Sequence, residues 1–139
     1  MTKIPHNFAA RGPVRGKNPE VDLGLGTHIG MIGDSSMPRI LLDTGHVITL
    51  NDCTFEPAVG VPKDVMISVK LVEPVNIYEI PDHELVKTVR VIPDGETLVI
   101  CWFEAFVWNK KPAVFAVTKR GRSTAFIRVD QINFPMYRA

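Results

Sequence analysis

Three short segments punctuate this chain in the same way. Asp43-Thr44-Gly45, Pro93-Asp94-Gly95 and Lys119-Arg120-Gly121 each end in glycine and each separate two runs rich in β-forming residues. The pattern matches a hairpin loop in which a type I turn is followed by a glycine in the left-handed conformation, so Gly45, Gly95 and Gly121 are assigned as structural turn residues. A fourth turn, Asn109-Lys110-Lys111-Pro112, uses proline. Between the turns, apolar residues alternate. In Val65-Met66-Ile67-Ser68-Val69-Lys70-Leu71 every odd position is apolar, while Ser68 and Lys70 are polar, the mark of a half-buried strand. Strands at this spacing predict a mainly β chain, an antiparallel small barrel or sandwich built as a hairpin meander over about 38–134. No segment carries a long helical period; Pro81 to Leu85 allows one helical turn. There is no internal repeat.

The stretch from Thr97 to Trp108 departs from simple alternation. Both phases are apolar: Val99, Cys101, Phe103, Ala105 and Val107 on one, Leu98, Ile100, Trp102, Phe106 and Trp108 on the other. Such a run predicts a central strand covered on both faces, or one partly buried at a subunit contact. Fully extended it would reach ~40 Å, against a usual strand length of ~17–20 Å, so a bend or bulge is expected within it. Glu104 is its only charge. A carboxylate in apolar surroundings needs a partner, and Arg128 or Arg90 is the expected one.

Residues 1–36 read differently. They hold six glycines, Gly12, Gly16, Gly24, Gly26, Gly30 and Gly33, with scattered large apolar residues and neither a helical nor a strand period. The expectation is an extended, basic, Gly/Pro-rich N-terminal arm over 1–36 and a β-domain over 37–139, the arm being ordered by packing on the body or on a neighbour. Lys3, Phe8, Arg11, Arg15 and Lys17 are its candidate partner-binding residues. Gly24-Leu25-Gly26-Thr27-His28-Ile29-Gly30 superficially matches a glycine-rich phosphate loop, but lacks the preceding strand and following helix that such a site requires.

Arg39-Ile40-Leu41-Leu42-Asp43-Thr44-Gly45 resembles the active-site loop of retroviral-type aspartic proteases. There an apolar strand leads into Asp-Thr-Gly, and two copies meet so that their carboxylates share one proton. The resemblance covers about six residues and departs from the family at His46, where Ala or Ser is usual. The apolar pair and glycine that precede the family's short C-terminal helix have no counterpart after residue 100. Because the same glycine-terminated triplet recurs as a hairpin signature, Asp43 is assigned to a turn. His6, His28, His46 and His83 are not spaced as a metal pair on one element, and Cys53 and Cys101 are too far apart for a CxxC motif. No catalytic residue, metal or cofactor is therefore expected, and the chain is read as non-enzymatic. Cys101, in the most apolar stretch, is expected as a buried free thiol in a reducing, cytoplasmic environment, or in a virion.

Composition bounds the remaining choices. Apolar residues make up 45% and charged residues 22%, enough for a core and unlike a disordered chain. No apolar run reaches the ~20 residues of a membrane span, and the N-terminus lacks the apolar region of a secretory signal. Charge is uneven: residues 1–40 carry +2, residues 41–100 carry −6, and residues 101–139 carry +5. An acidic middle and a basic end can attract copies of the same chain. In a meander the Lys110/Lys111 turn falls at the opposite end from Lys119, Arg120 and Arg122, while Asp94 and Glu96 fall at the same end as the latter. That arrangement favours local charge pairing over a nucleic-acid groove.

The resulting expectation is a structural or assembly protein, such as a viral (phage) capsid decoration, head or tail accessory component. It would contact copies of itself or another assembly protein through the arm, through Trp102, Phe106 and Trp108, and through Lys119, Arg120 and Arg122. The alternative is a small β-barrel module or inhibitor that acts on a protein or nucleic-acid partner.

Overall fold

The computed structural model describes residues 8–17, 20–30, 37–80, 85–108 and 110–138. Lys3, His6, His83 and the helical turn expected from Pro81 lie outside the described residues. Among the described residues twelve strands follow in chain order: β1 (Arg11–Lys17), β2 (Glu20–Gly30), β3 (Arg39–Leu42), β4 (Val47–Thr49), β5 (Cys53–Phe55), β6 (Ile67–Lys70), β7 (Val75–Glu79), β8 (Val86–Ile92), β9 (Thr97–Ile100), β10 (Trp102–Trp108), β11 (Lys111–Arg120) and β12 (Ser123–Arg128). They form one five-stranded sheet in the order β4-β3-β2-β1-β5, a second in the order β10-β11-β12-β7-β8, and the pair β6-β9. All strand pairs are antiparallel, as the alternation predicts. No helix among the described residues is long and apolar enough to cross a membrane.

The main core joins all three sheets. Ile29, Leu41 and Val47 from the first sheet meet Ile67, Val69, Leu98 and Ile100 from the β6-β9 pair and Ile77, Ile92, Val114, Ala116 and Ile127 from the second sheet. A smaller cluster of Val14, Ile40, Leu42, Ile48 and Cys53 covers the opposite face of the first sheet. The second sheet curls into a half-barrel. Tyr78 on β7 and Trp108 on β10 lie three strand spacings apart, about 14 Å in a flat sheet, yet their ring centroids are 5.0 Å apart.

The three glycine turns adopt the expected conformation, with φ of 96° at Gly45, 85° at Gly95 and 65° at Gly121. The apolar stretch at 97–108 breaks at Cys101 into β9, paired with β6, and β10, paired with β11. The break is the expected bend, but the second half is not a central strand: β10 lies at the edge of its sheet. Trp102, Phe106 and Trp108 are half-buried by neighbours on the curled face rather than by a further strand, while Phe103 is buried in the main core.

Of the segment assigned to an arm, residues 11–17 and 20–30 are paired strands of the first sheet. β1 lies between β2 and β5, and β2 lies between β1 and β3. Two of the glycines that mask the strand period, Gly12 and Gly26, are packing residues. A Cβ on Gly12 would stand 1.9 Å from the carbonyl oxygen of Glu56, and one on Gly26 would stand 2.6 Å from a methyl of Ile40. Glycine here lets backbones and facing side chains approach closely, and does not mark slack chain.

Candidate functional site

The aromatic residues of the second sheet follow from strand register. Successive side chains on β10 point to opposite faces, so Trp102, Glu104, Phe106 and Trp108 share one face and Phe103, Ala105 and Val107 share the other. The first of these faces also carries Phe115 and Phe126, which the ladder places beside them. Phe115 packs edge-on against Phe106 at 5.6 Å and Tyr78 at 5.3 Å, and Phe126 packs against Phe106 at 5.4 Å. These T-shaped contacts suit the quadrupoles of the rings. Phe115 and Tyr78 are buried under this layer, whereas Trp102, Phe106, Trp108 and Phe126 remain half-exposed at its surface. Trp102 has the ammonium of Lys119 at 5.9 Å from its ring centroid, within cation–π reach.

The open side of β10 borders a groove of about 630 Å³. It is lined by Phe103, Glu104 and Ala105, by Pro57 to Val61 with Lys63, and by Phe8 to Arg11. The walls are mostly aliphatic. Glu104 is exposed and has no ion pair among the described residues. The expected partners are engaged elsewhere: Arg90 pairs with Glu79, and Arg128 with Asp130. Exposure at a strand edge removes the need for a partner that a buried carboxylate would have.

The charged groups assigned to partner contact are divided by the fold. Arg11 is 8% exposed, against the expectation of a surface arm residue. Its two terminal nitrogens donate to the carboxylate of Asp43 at 2.9 and 2.8 Å. It also donates to Thr27 Oγ1 at 2.9 Å and to the Pro62 carbonyl at 2.7 Å. The guanidinium thus ties β1, β2, the β3–β4 turn and the 57–65 segment together, in the bidentate geometry that suits a carboxylate. Asp43, which resembles the protease aspartate, faces this guanidinium.

Arg15 is exposed and pairs with Glu20 at 3.4 Å, and Lys17 is exposed near the end of the same hairpin. Phe8 is half-buried against His28, with ring centroids 5.5 Å apart. Lys119, Arg120 and Arg122 are exposed at one end of β11, with Arg120 3.5 Å from Glu96. Lys111 begins the same ten-residue strand, about 30 Å away, so the two basic clusters do not merge.

Among the described residues there is no group of three or more His, Cys, Asp or Glu arranged to hold a metal ion. Both cysteines are free. Cys53 is the buried one, and burial pushes its thiol pKa up; Cys101, expected to be buried, is only half-covered because β9 ends there.

Sequence reasoning singled out Trp102, Phe106 and Trp108 but missed the Arg11–Asp43 clamp. Its one available signal was an Arg at the start of a Gly/Val alternation: Gly12, Val14 and Gly16 face inward while Pro13, Arg15 and Lys17 face out.

Comparison of the chain with protein-family models, curated proteins and solved structures returned no match.

Proposed function

We propose that this protein is a non-enzymatic assembly component, a β-domain that binds copies of itself or another structural subunit. Virion accessory proteins, such as phage capsid decoration, head or tail proteins, are the class it fits by fold-level analogy. The observation that carries the reading is β10: an edge strand whose apolar residues Trp102, Ala105, Phe106, Val107 and Trp108 are all half-exposed, beside an aliphatic groove. Aromatic residues in such a patch are the usual anchors of protein–protein contacts, and an open strand edge supplies backbone hydrogen bonds to a partner.

A second reading has its own support. Trp102 with Lys119 above it, next to Phe106 and Phe126, is the combination of stacking surface and cation that single-stranded nucleic acid uses.

Absolute mass by light scattering across a concentration range, with the 260/280 nm absorbance ratio recorded, separates the two. The assembly reading expects a mass above that of one 15.5 kDa chain, without nucleic acid and with weak dependence on salt. Co-purifying nucleic acid that is lost steeply as salt rises would favour the second reading. A monomer at every concentration, free of nucleic acid, would count against self-assembly.

A further inference from the structure

The four edges of the two five-stranded sheets are not treated alike. β4 is covered by the C-terminal segment: Val47 N–H donates to the Pro135 carbonyl at 2.9 Å, and Tyr137 N–H donates to the Val47 carbonyl at 2.8 Å. β5 is three residues long. β8 is bulged: between the pairs Asn76–Val91 and Tyr78–Lys87 it advances four residues while β7 advances two. Val89 is thereby thrown into solvent at 101% exposure, and the edge carries Lys87 and Arg90. Short length, a cover, a bulge and basic side chains are the devices that keep sheet edges from pairing.

Among the described residues β10 is neither short nor bulged, no segment hydrogen-bonds along its free edge as the C-terminal segment does along β4, and its one charge is the acidic Glu104. It runs seven residues without proline, lysine or arginine, and its ladder to β11 is regular from Trp102 to Trp108. Of the four edges it is the least guarded.

We propose that two copies of this chain join through β10, antiparallel to its own counterpart across a two-fold axis at Ala105. The inference rests on the assembly reading above and names its partner and register. Self-pairing that keeps like faces together requires a residue on the axis, and the position of Glu104 decides which residue that is. With the axis at Glu104, two carboxylates would stand directly opposite each other, which is unfavourable. With the axis at Phe106, Trp102 and Phe103 would have no strand partner.

With the axis at Ala105, all seven residues pair. Trp102 lies opposite Trp108 of the second copy, Phe103 opposite Val107, Glu104 opposite Phe106, and Ala105 opposite itself. The two glutamates are then offset, and each tryptophan meets the other's counterpart on the same face. The product is one continuous ten-stranded sheet, β8-β7-β12-β11-β10 followed by the same order reversed.

The test introduces a thiol on the axis. Directly opposed Cβ atoms of antiparallel strands lie about 4.5–5.5 Å apart, close enough for a small strand adjustment to bring them to disulfide distance. In the full-length protein, Ala105→Cys is expected to give a covalent dimer under mild oxidation, with the bond mapped by peptide mass to position 105 in both chains. Val89→Cys, on the bulged edge, is expected to stay largely uncoupled. Ala105→Lys, which sets two ammonium groups on the axis, is expected to shift the light-scattering mass to that of the monomer without changing the far-UV circular dichroism.

A wild-type oligomer whose mass survives Ala105→Lys and whose Ala105→Cys form does not couple would overturn the β10 register while leaving assembly through another surface. A wild-type monomer at all concentrations would overturn both. Loss of the circular dichroism signal in the lysine variant would transfer the decision to the cysteine cross-link.

Discussion

His28 shows how far a single residue can be read once its surroundings are known. In the sequence it sits inside a glycine-rich stretch that superficially matches a phosphate loop. In the fold it is 3% exposed on β2, between the rings of Phe8 and Phe55. Its Nδ1 lies 3.3 Å from the Gly30 N–H, which it can accept as a neutral ring. Burial is the larger cause that lowers its pKa below 6.5. The unfolded chain therefore takes up a proton as pH falls through about 6.5, while the folded chain does not until a lower pH. Stability is full above about 6.5 and is lost as pH falls between the two values, by at most ~1.4 kcal/mol per pH unit for one proton. His28→Gln, neutral throughout, is expected to lose that slope. Urea unfolding of both proteins between pH 7.5 and 5 measures it, and the other histidines cancel in the difference. Parallel pH profiles would show that His28 titrates alike in both states.

At the scale of elements, the turns were legible and the first two strands were not, for one physical reason. Gly45, Gly95 and Gly121 have positive φ, a backbone demand that leaves a direct trace in sequence. Gly12 and Gly26 instead answer to neighbours distant in sequence, the Glu56 carbonyl and the Ile40 side chain, which no local window contains. The aromatic phase of Trp102, Phe106 and Trp108 was visible, but which side of β10 lacks a strand is a fact of topology. These differences change the outcome of a truncation. Treating residues 1–36 as an arm implies that removing them leaves a folded domain. With β1 and β2 lying inside the order β4-β3-β2-β1-β5, removing residues 1–30 strands β5 and deletes Val14, Ile29 and the Arg11 clamp. The 31–139 fragment is expected to lose its cooperative thermal transition and the dispersion of its amide proton spectrum. A fragment that melts cooperatively, with dispersed amides, would show that the first sheet does not depend on those strands.

For the whole molecule, the question is whether two five-stranded sheets make one cooperative unit. The first sheet is shared between two apolar clusters: Ile29 and Leu41 face the main core, while their neighbours Ile40 and Leu42 face the smaller one. Losing the second sheet would expose one face of the first, and losing the first would uncover Ile77, Val114 and Ile127. The β6-β9 pair adds Ile67, Val69, Leu98 and Ile100 to the same core, and Cys101 carries the chain from β9 into β10 while its N–H donates to the Val117 carbonyl of β11 at 2.8 Å. No sheet therefore has a core of its own large enough to stand apart, and a chain of this length normally unfolds in one step. Both tryptophans, Trp102 and Trp108, lie on β10, so their fluorescence reports the second sheet, whereas far-UV circular dichroism reports all strands. In urea the two signals are expected to give the same midpoint and the same slope, about 1–3 kcal/mol/M. Fluorescence that changes at lower urea than circular dichroism would mean that the half-barrel opens while the first sheet persists. Association through β10 would then stabilise a sheet that is weak in the single chain, and the fluorescence midpoint would rise with protein concentration.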